Sequence, residues 1–137
     1  ESDILVLKNA GPVGAGMPEA GYLPIPKKLA RKGVKGMLRI SDARMSGTAS
    51  GAVILHVAPE AAIGGPLAVV ETGDRIRFSI AEKKIDLLVA QDEISRRLEG
   101  LARTKVATRG YQALYERSVM QAPAGCDFDF LVQVTDS

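Results

Sequence analysis

MLRISDARMSGTASGA, residues 37–52, decides the fold, because a short hydrophobic segment runs without a gap into a turn crowded with an acid, an arginine and hydroxyls. Met37, Leu38 and Ile40 read as a buried strand, and Ser41, Asp42, Arg44, Ser46, Gly47, Thr48 and Ser50 follow as a polar loop. Loops held on a rigid scaffold are where binding and catalytic residues concentrate.

Upstream of that strand, residues 3–8 (DILVLK) form an apolar run that reads as another strand. The next thirteen residues hold four glycines and two prolines, the composition of a loop. Leu23 to Lys32 spaces apolar residues at 23, 25, 29 and 30 among lysines and an arginine, with Pro24 and Pro26 at its start. This predicts a helix that Gly33 caps.

Downstream, residues 52–58 (AVILHVA) fit either a buried strand or a buried helical turn. Pro59 to Ala62 can form one helical turn, closed by Gly64, Gly65 and Pro66. Leu67 to Val70, Arg75 to Ile80 and Ile85 to Val89 read as strands, and the alternation over 75–80 predicts one buried face. Ile94, Leu98 and Leu101 share a helical face beginning at Gln91, and a second helix is expected from Tyr111 to Met120. The tail from Ala122, with CDFDFLVQV at 126–134, is expected to pack back on the body. Short strands with peripheral helices make an α/β or α+β domain.

The 137 residues are 46% hydrophobic, enough for one compact domain and too few for two independent ones. The net charge of +2 comes from 18 basic and 16 acidic residues without a block of one sign, so no nucleic-acid footprint is read. Lys27, Lys28, Arg31, Lys32 and Lys35 read as the solvated face of a helix. Aromatics at 4% are too sparse for a base-stacking platform. A single cysteine, Cys126, forms no internal disulfide and fits a reducing compartment. Neither a signal peptide nor a membrane span is legible, and the expectation is a soluble cytoplasmic protein.

Ser46 stands before Gly47, which lets the backbone turn sharply and a substrate approach, although serine before glycine is more often a turn or cap residue. The one histidine, His56, is ten residues further on in an apolar run, so no hydrolase triad can be read. His56 itself reads as a satisfied core histidine or one supporting a site from behind. Glu19 is the lone charge between Ala10 and Tyr22, by itself an exposed loop acid. Asp42 and Arg44 are expected to pair and order their loop, with a direct role for Arg44 on a substrate carboxylate as the other reading. Gly47 and Thr48 could receive that carboxylate on their amides if a helix begins there. Glu60 reads as a helix-start acid and Cys126 as a buried thiol. GPVGAGMPE, residues 11–19, lacks the lysine and hydroxyl of a phosphate-binding P-loop.

The runs KNAGPVGAGMPEAG (8–21), MLRISDARMSGTASGA (37–52), LHVAPEAAIGGPLAVVETGDRI (55–76) and GYQALYERSVMQAPAGCDFDF (110–130) together resemble the C-terminal domain of the dihydroxy-acid and sugar-acid dehydratase family. The resemblance covers nearly the whole chain and favours the sugar-acid (aldonate) branch, with Ala15 departing from a position where many relatives carry glycine or proline. It implies a swivelling β/β/α domain, a compact barrel-like sheet with flanking helices. It also implies that residues 1–137 are one domain of a longer, homo-oligomeric dehydratase, with the N-terminal cluster-binding domain outside these residues.

In that family the serine matching Ser46 acts as an alkoxide that removes the proton beside the substrate carboxylate. A serine hydroxyl ionises at neutral pH only with help from a bound cation or a strongly electropositive site. The resemblance makes Glu19 a magnesium ligand, supports Gly47 and Thr48 as receivers of the sugar acid's carboxylate, and assigns an iron-sulfur cluster to the other domain, with none of its ligands here. Two alternatives stand beside the aldonate reading: a dihydroxy-acid dehydratase of branched-chain amino-acid synthesis, and a non-catalytic scaffold or interaction domain.

Overall fold

Val6, Ile40 and Ile54 lie side by side in register across three parallel strands, and this row is where the core begins. In the computed structural model, which describes residues 3–19, 24–44, 47, 51–102 and 106–132, the strands are β1 (Leu5–Leu7), β2 (Arg39–Ser41) and β3 (Val53–Ile54). Their order is β1-β2-β3, so the strand of the opening motif is the central one, and all three of its residues are buried. Side chains alternate across a sheet, so Ile40 turns to one face and Arg39 and Ser41 to the other. Ile40 joins Ala61, Leu67, Ala68, Val69 and Ile94 in the core, with Val6, Ile54 and Val57 packed around them. Burying a side chain the size of Ile40 contributes about 1.5–3 kcal/mol.

The covering layer differs from expectation in one element. Leu67 to Val70, read as a strand, forms a 3-10 turn, Pro66–Val69, in which Leu67, Ala68 and Val69 are buried. Pro66 takes the first helical position after Gly65, and a proline there favours a turn. The turn at Pro59 to Ala62 falls one to two residues later, as the 3-10 turn Ala61–Ile63, ended by Gly64 at φ 88°. The run 52–58 resolves to the two-residue strand β3.

Helix α1 is the single turn Pro12–Ala15, and α2, expected over 23–32, is the single turn Lys27–Ala30 within the described residues. Pro26 is its N-cap and Gly33 takes a left-handed φ of 84° just beyond it. The antiparallel hairpin of β4 (Ile76–Ser79) and β5 (Lys84–Leu87) matches its two expected strands, with Ile76 opposite Leu87 and Phe78 opposite Ile85. Only the base of its apolar face is covered: Ile76 and Leu87 pack on the core, whereas Phe78 and Ile80 are exposed.

Helices α3 (Gln91–Glu99) and α4 (Gly110–Ser118) lie where the periodicity put them, each with one buried residue, Ile94 and Ala113. Beyond α4 the chain folds back as expected through a Val119–Phe128 bridge, with the Phe128 ring edge-on to Tyr115 and stacked on Phe130. Residues 133–137 of the tail lie outside the description. The architecture is mixed α/β. Among the described residues the two sheets are separate and open, so the barrel-like closure expected from the resemblance is not observed. No helix among them is long and apolar enough to cross a membrane.

Candidate active site

Three loops leave the carboxyl ends of β1, β2 and β3, the edge at which open parallel sheets bind ligands. The first carries α1 and then Glu19, the second carries Asp42 and Arg44, and the third carries His56 and Glu60. Glu19 and Arg44, 25 positions apart (44 minus 19), form an isolated parallel bridge. Their side chains approach to 3.6 Å between Nη1 and Oε1, and Arg44 Nε donates to Met17 O at 2.8 Å. Both side chains are more than half exposed, at 55% and 54%, so solvent screens the ion pair and leaves it worth about 0–1 kcal/mol.

The expected Asp42–Arg44 pair does not form. Asp42 is 1% exposed and accepts backbone amides from all sides: Asn9 at 3.2 Å, Ala10 at 3.0 Å and Ala61 at 3.0 Å. Buried carboxylate oxygens must be hydrogen-bonded, and the main chain supplies the donors at a distance where Arg44 is already taken up by Met17 and Glu19. The loop is further held by Ala43 N donating to Ser41 Oγ at 3.0 Å and by His56 N donating to Ala43 O at 3.1 Å.

Glu60 is a helix-start acid, but chiefly for another helix. It is fully buried, and its oxygens accept Val13 N at 2.8 Å and Gly14 N at 2.9 Å, the orphan amides of α1. Gln121 completes the contact, donating Nε2 to Oε1 at 2.7 Å while its own Oε1 accepts Glu60 N at 2.9 Å. Helix α1 starts at Gly11-Pro12 with no side-chain cap of its own, which was the available signal that a remote acceptor is needed. Because a carboxylate of the chain occupies this helix start, the phosphate-loop reading has no room there.

His56, expected in the core or behind a site, is exposed and takes a positive φ of 58°. Cys126 is half-buried with Sγ 3.1 Å from Met17 Sδ; burial, and then the Glu60 carboxylate, push its thiol pKa up. Gly47 is exposed, with open space where a Cβ would stand. Ser46 and Thr48 lie outside the described residues.

Among the described residues no group of three or more His, Cys, Asp and Glu can hold a metal. Glu19 fits one position of a magnesium shell, being an exposed hard-oxygen donor, and other ligands must come from elsewhere. Iron-sulfur ligation does not fit this chain: its one thiol is protonation-favoured and packed on a thioether.

Residues 1–126 match the family model for the dihydroxy-acid/6-phosphogluconate dehydratase C-terminal region. The chain is 56% identical over 130 residues to the 6-deoxy-6-sulfo-D-gluconate dehydratase of Pseudomonas putida, which covers 93% of this chain and 22% of that protein. To the L-arabonate dehydratase of Azospirillum brasilense it is 51% identical over 139 residues, 96% of this chain and 24% of that one. A dihydroxy-acid dehydratase of Methanoregula boonei is 40% identical over 126 residues, 91% and 22% of the two. The chain thus spans less than a quarter of the length of these relatives. With the match running from the first residue through the three loops to Cys126, the chain belongs to the dihydroxy-acid/6-phosphogluconate dehydratase C-terminal family.

Proposed function

We propose that this chain is the C-terminal part of a hydro-lyase that dehydrates a sugar acid, an aldonate, to its 2-keto-3-deoxy acid. The observation that carries the reading is the bridge between Glu19 and Arg44, which joins the GMPE and DARMSGT loops at the carboxyl edge of the parallel sheet. The relatives named for sulfogluconate and arabonate, at 56% and 51% identity against 40% for a dihydroxy-acid dehydratase, favour the sugar-acid branch.

In this reading Ser46 Oγ takes the proton from C2 of the substrate. The C3 hydroxyl leaves as water after taking a proton from an acid outside this chain, and the resulting enol gains a proton at C3 as it becomes the keto acid. Arg44 holds the substrate carboxylate through its Nη2, since Nε is committed to Met17 O and Nη1 faces Glu19, and the amides of Gly47 and Thr48 assist. Magnesium, held in part by Glu19, would supply positive charge that makes the serine alkoxide accessible. Any iron-sulfur cluster would take its ligands from other parts of the enzyme.

The test is 2-keto acid formation by the full-length enzyme from a panel of aldonates and from 2,3-dihydroxyisovalerate, beside its Ser46→Ala variant. Activity on a pentonate or hexonate that the variant loses by at least about 100-fold is expected for a missing base. Unimpaired turnover by the variant would remove Ser46 from the mechanism, and activity on the dihydroxy acid alone would move the enzyme to the branched-chain pathway.

A further inference from the structure

We infer that Asp42 and Glu60 are positioning residues, a two-carboxylate latch that fixes the three site loops relative to one another and so sets how Glu19 stands against Arg44. The inference rests on the dehydratase reading above and deepens it. Neither carboxylate reaches the exposed edge: Asp42 is 1% and Glu60 0% exposed, whereas Glu19 and Arg44 are both more than half exposed. They act through the main chain. Asp42 belongs to the second loop and binds Asn9 and Ala10 of the first and Ala61 after the third. Glu60 ends the third loop and binds Val13 and Gly14 of the first. Five backbone amides are therefore gathered onto two side chains, and the third loop is tied to each of the other two.

The placement separates this latch from the core. The core cluster of Ile40, Ala61, Leu67, Ala68, Val69 and Ile94 lies on one face of the sheet, whereas the latch lies past the ends of the strands. Ala61 is the one residue common to both, contributing its side chain to the core and its amide to Asp42. Only four residues separate Gly14 from Glu19 (19 minus 14 is five positions), and Met17 O within that span is the acceptor of Arg44 Nε. A shift of α1 therefore moves both the Glu19 carboxylate and the atom that orients Arg44. Groups that orient reacting side chains from behind change rate through geometry, and displacements of about 1 Å at a reacting centre can cost about 100-fold.

Exchanging either carboxylate for its amide keeps size and shape but turns an NH2 toward a backbone N–H, so one amide loses its acceptor. The full-length enzyme carrying Asp42→Asn or Glu60→Gln is compared with a core control, Ile40→Val, for kcat, KM, half-activating magnesium concentration and melting temperature. The latch variants are expected to lose about tenfold or more in kcat, to change KM by less than about threefold, and to need several-fold more magnesium. The core control is expected to melt lower while its kcat stays within about twofold of wild type. Equal kcat losses in the latch and core variants at matched melting temperature would overturn the positioning role.

Should both latch variants fail to fold, amide exchange in the wild-type enzyme decides. Peptides covering 9–16 and 58–63 are expected to exchange together and as slowly as the parallel sheet, and exchange at the rate of free loops would overturn the latch. A wild type inactive on every aldonate and on 2,3-dihydroxyisovalerate defeats the dehydratase reading and this role with it. An active wild type with Ser46-dependent turnover and silent latch variants defeats this role alone.

Discussion

A methyl group at Gly11 would stand 2.5 Å from Glu60 Oε2 and 2.6 Å from Glu60 Cβ, closer than real Cβ atoms come to anything. Gly11 has an ordinary extended backbone, φ −82°, so the requirement for glycine is one of space alone. Gly11→Ala is expected to destabilise the protein by about 1–3 kcal/mol, the cost of overpacking a closed contact, read as a lower urea midpoint at unchanged slope. A wild-type midpoint would mean that Glu60 does not lie against the start of α1. The same residue scale explains what could not be foreseen about Asp42. Its proximity in sequence to Arg44 suggested a pair, yet its partners are backbone amides 32 and 19 residues away, and a backbone amide has no residue type to recognise. Glu19, by contrast, was legible as the one charge in an uncharged loop, and it stands at the edge where the loops meet.

At the scale of elements, α3 is tied to its neighbours by Arg97, which donates to Asp74 at 2.6 Å and to Val69 O at 3.0 Å, and within the helix to Glu93 at 2.8 Å. Hydrogen bonds from Arg96 and then Arg97 lower the Glu93 pKa from its ordinary 4.5 to about 2. Asp74 moves in the same direction, chiefly through its bond to Arg97 and then through the Glu71 amide. A carboxylate with a depressed folded pKa adds stability that is present above its unfolded value and lost as pH falls through the folded one. The melting temperature should therefore drop between about pH 4.5 and pH 2, and Glu93→Gln should flatten the drop in that window. The effect is modest because these charges are partly solvated, and parallel curves for the two proteins would exclude it. Elements with a clear period, α3 and the β4–β5 hairpin, were readable in the chain. The run at 67–70 was not, because four apolar residues carry no period and the deciding feature was Pro66 just before them.

At the scale of the molecule, Lys8 is a long-range tie that nothing in its sequence neighbourhood announces. Its Nζ donates to Ala68 O at 2.7 Å and Val70 O at 2.8 Å, 60 and 62 residues away, fastening the end of β1 to the turn that covers the core. Lys8→Met keeps the unbranched stem and removes the Nζ that makes both hydrogen bonds, and a loss of about 1–3 kcal/mol in unfolding free energy is expected. No change would place those carbonyls in contact with water instead. The family was legible because its motifs are contiguous runs. Openness of the two sheets among the described residues was not, since sheet closure depends on strand lengths, and β3 contributes only two residues of a seven-residue run in which six are apolar.

The carboxylates of Asp42 and Glu60 grip main-chain N–H groups, which every residue except proline possesses. Spelling and spacing therefore face different constraints along residues 9–14. The letters at Ala10 and Val13 are free to drift over evolutionary time, because the grip does not read them, whereas position 9, at a left-handed φ of 67°, favours asparagine or glycine. The count between them is not: a single inserted or deleted residue would put one pair of amides out of step with the other. Natural variants of this segment should accordingly differ by substitution and almost never by length, and proline should be excluded from positions 9, 10, 13 and 14 while Pro12 persists where no amide is wanted.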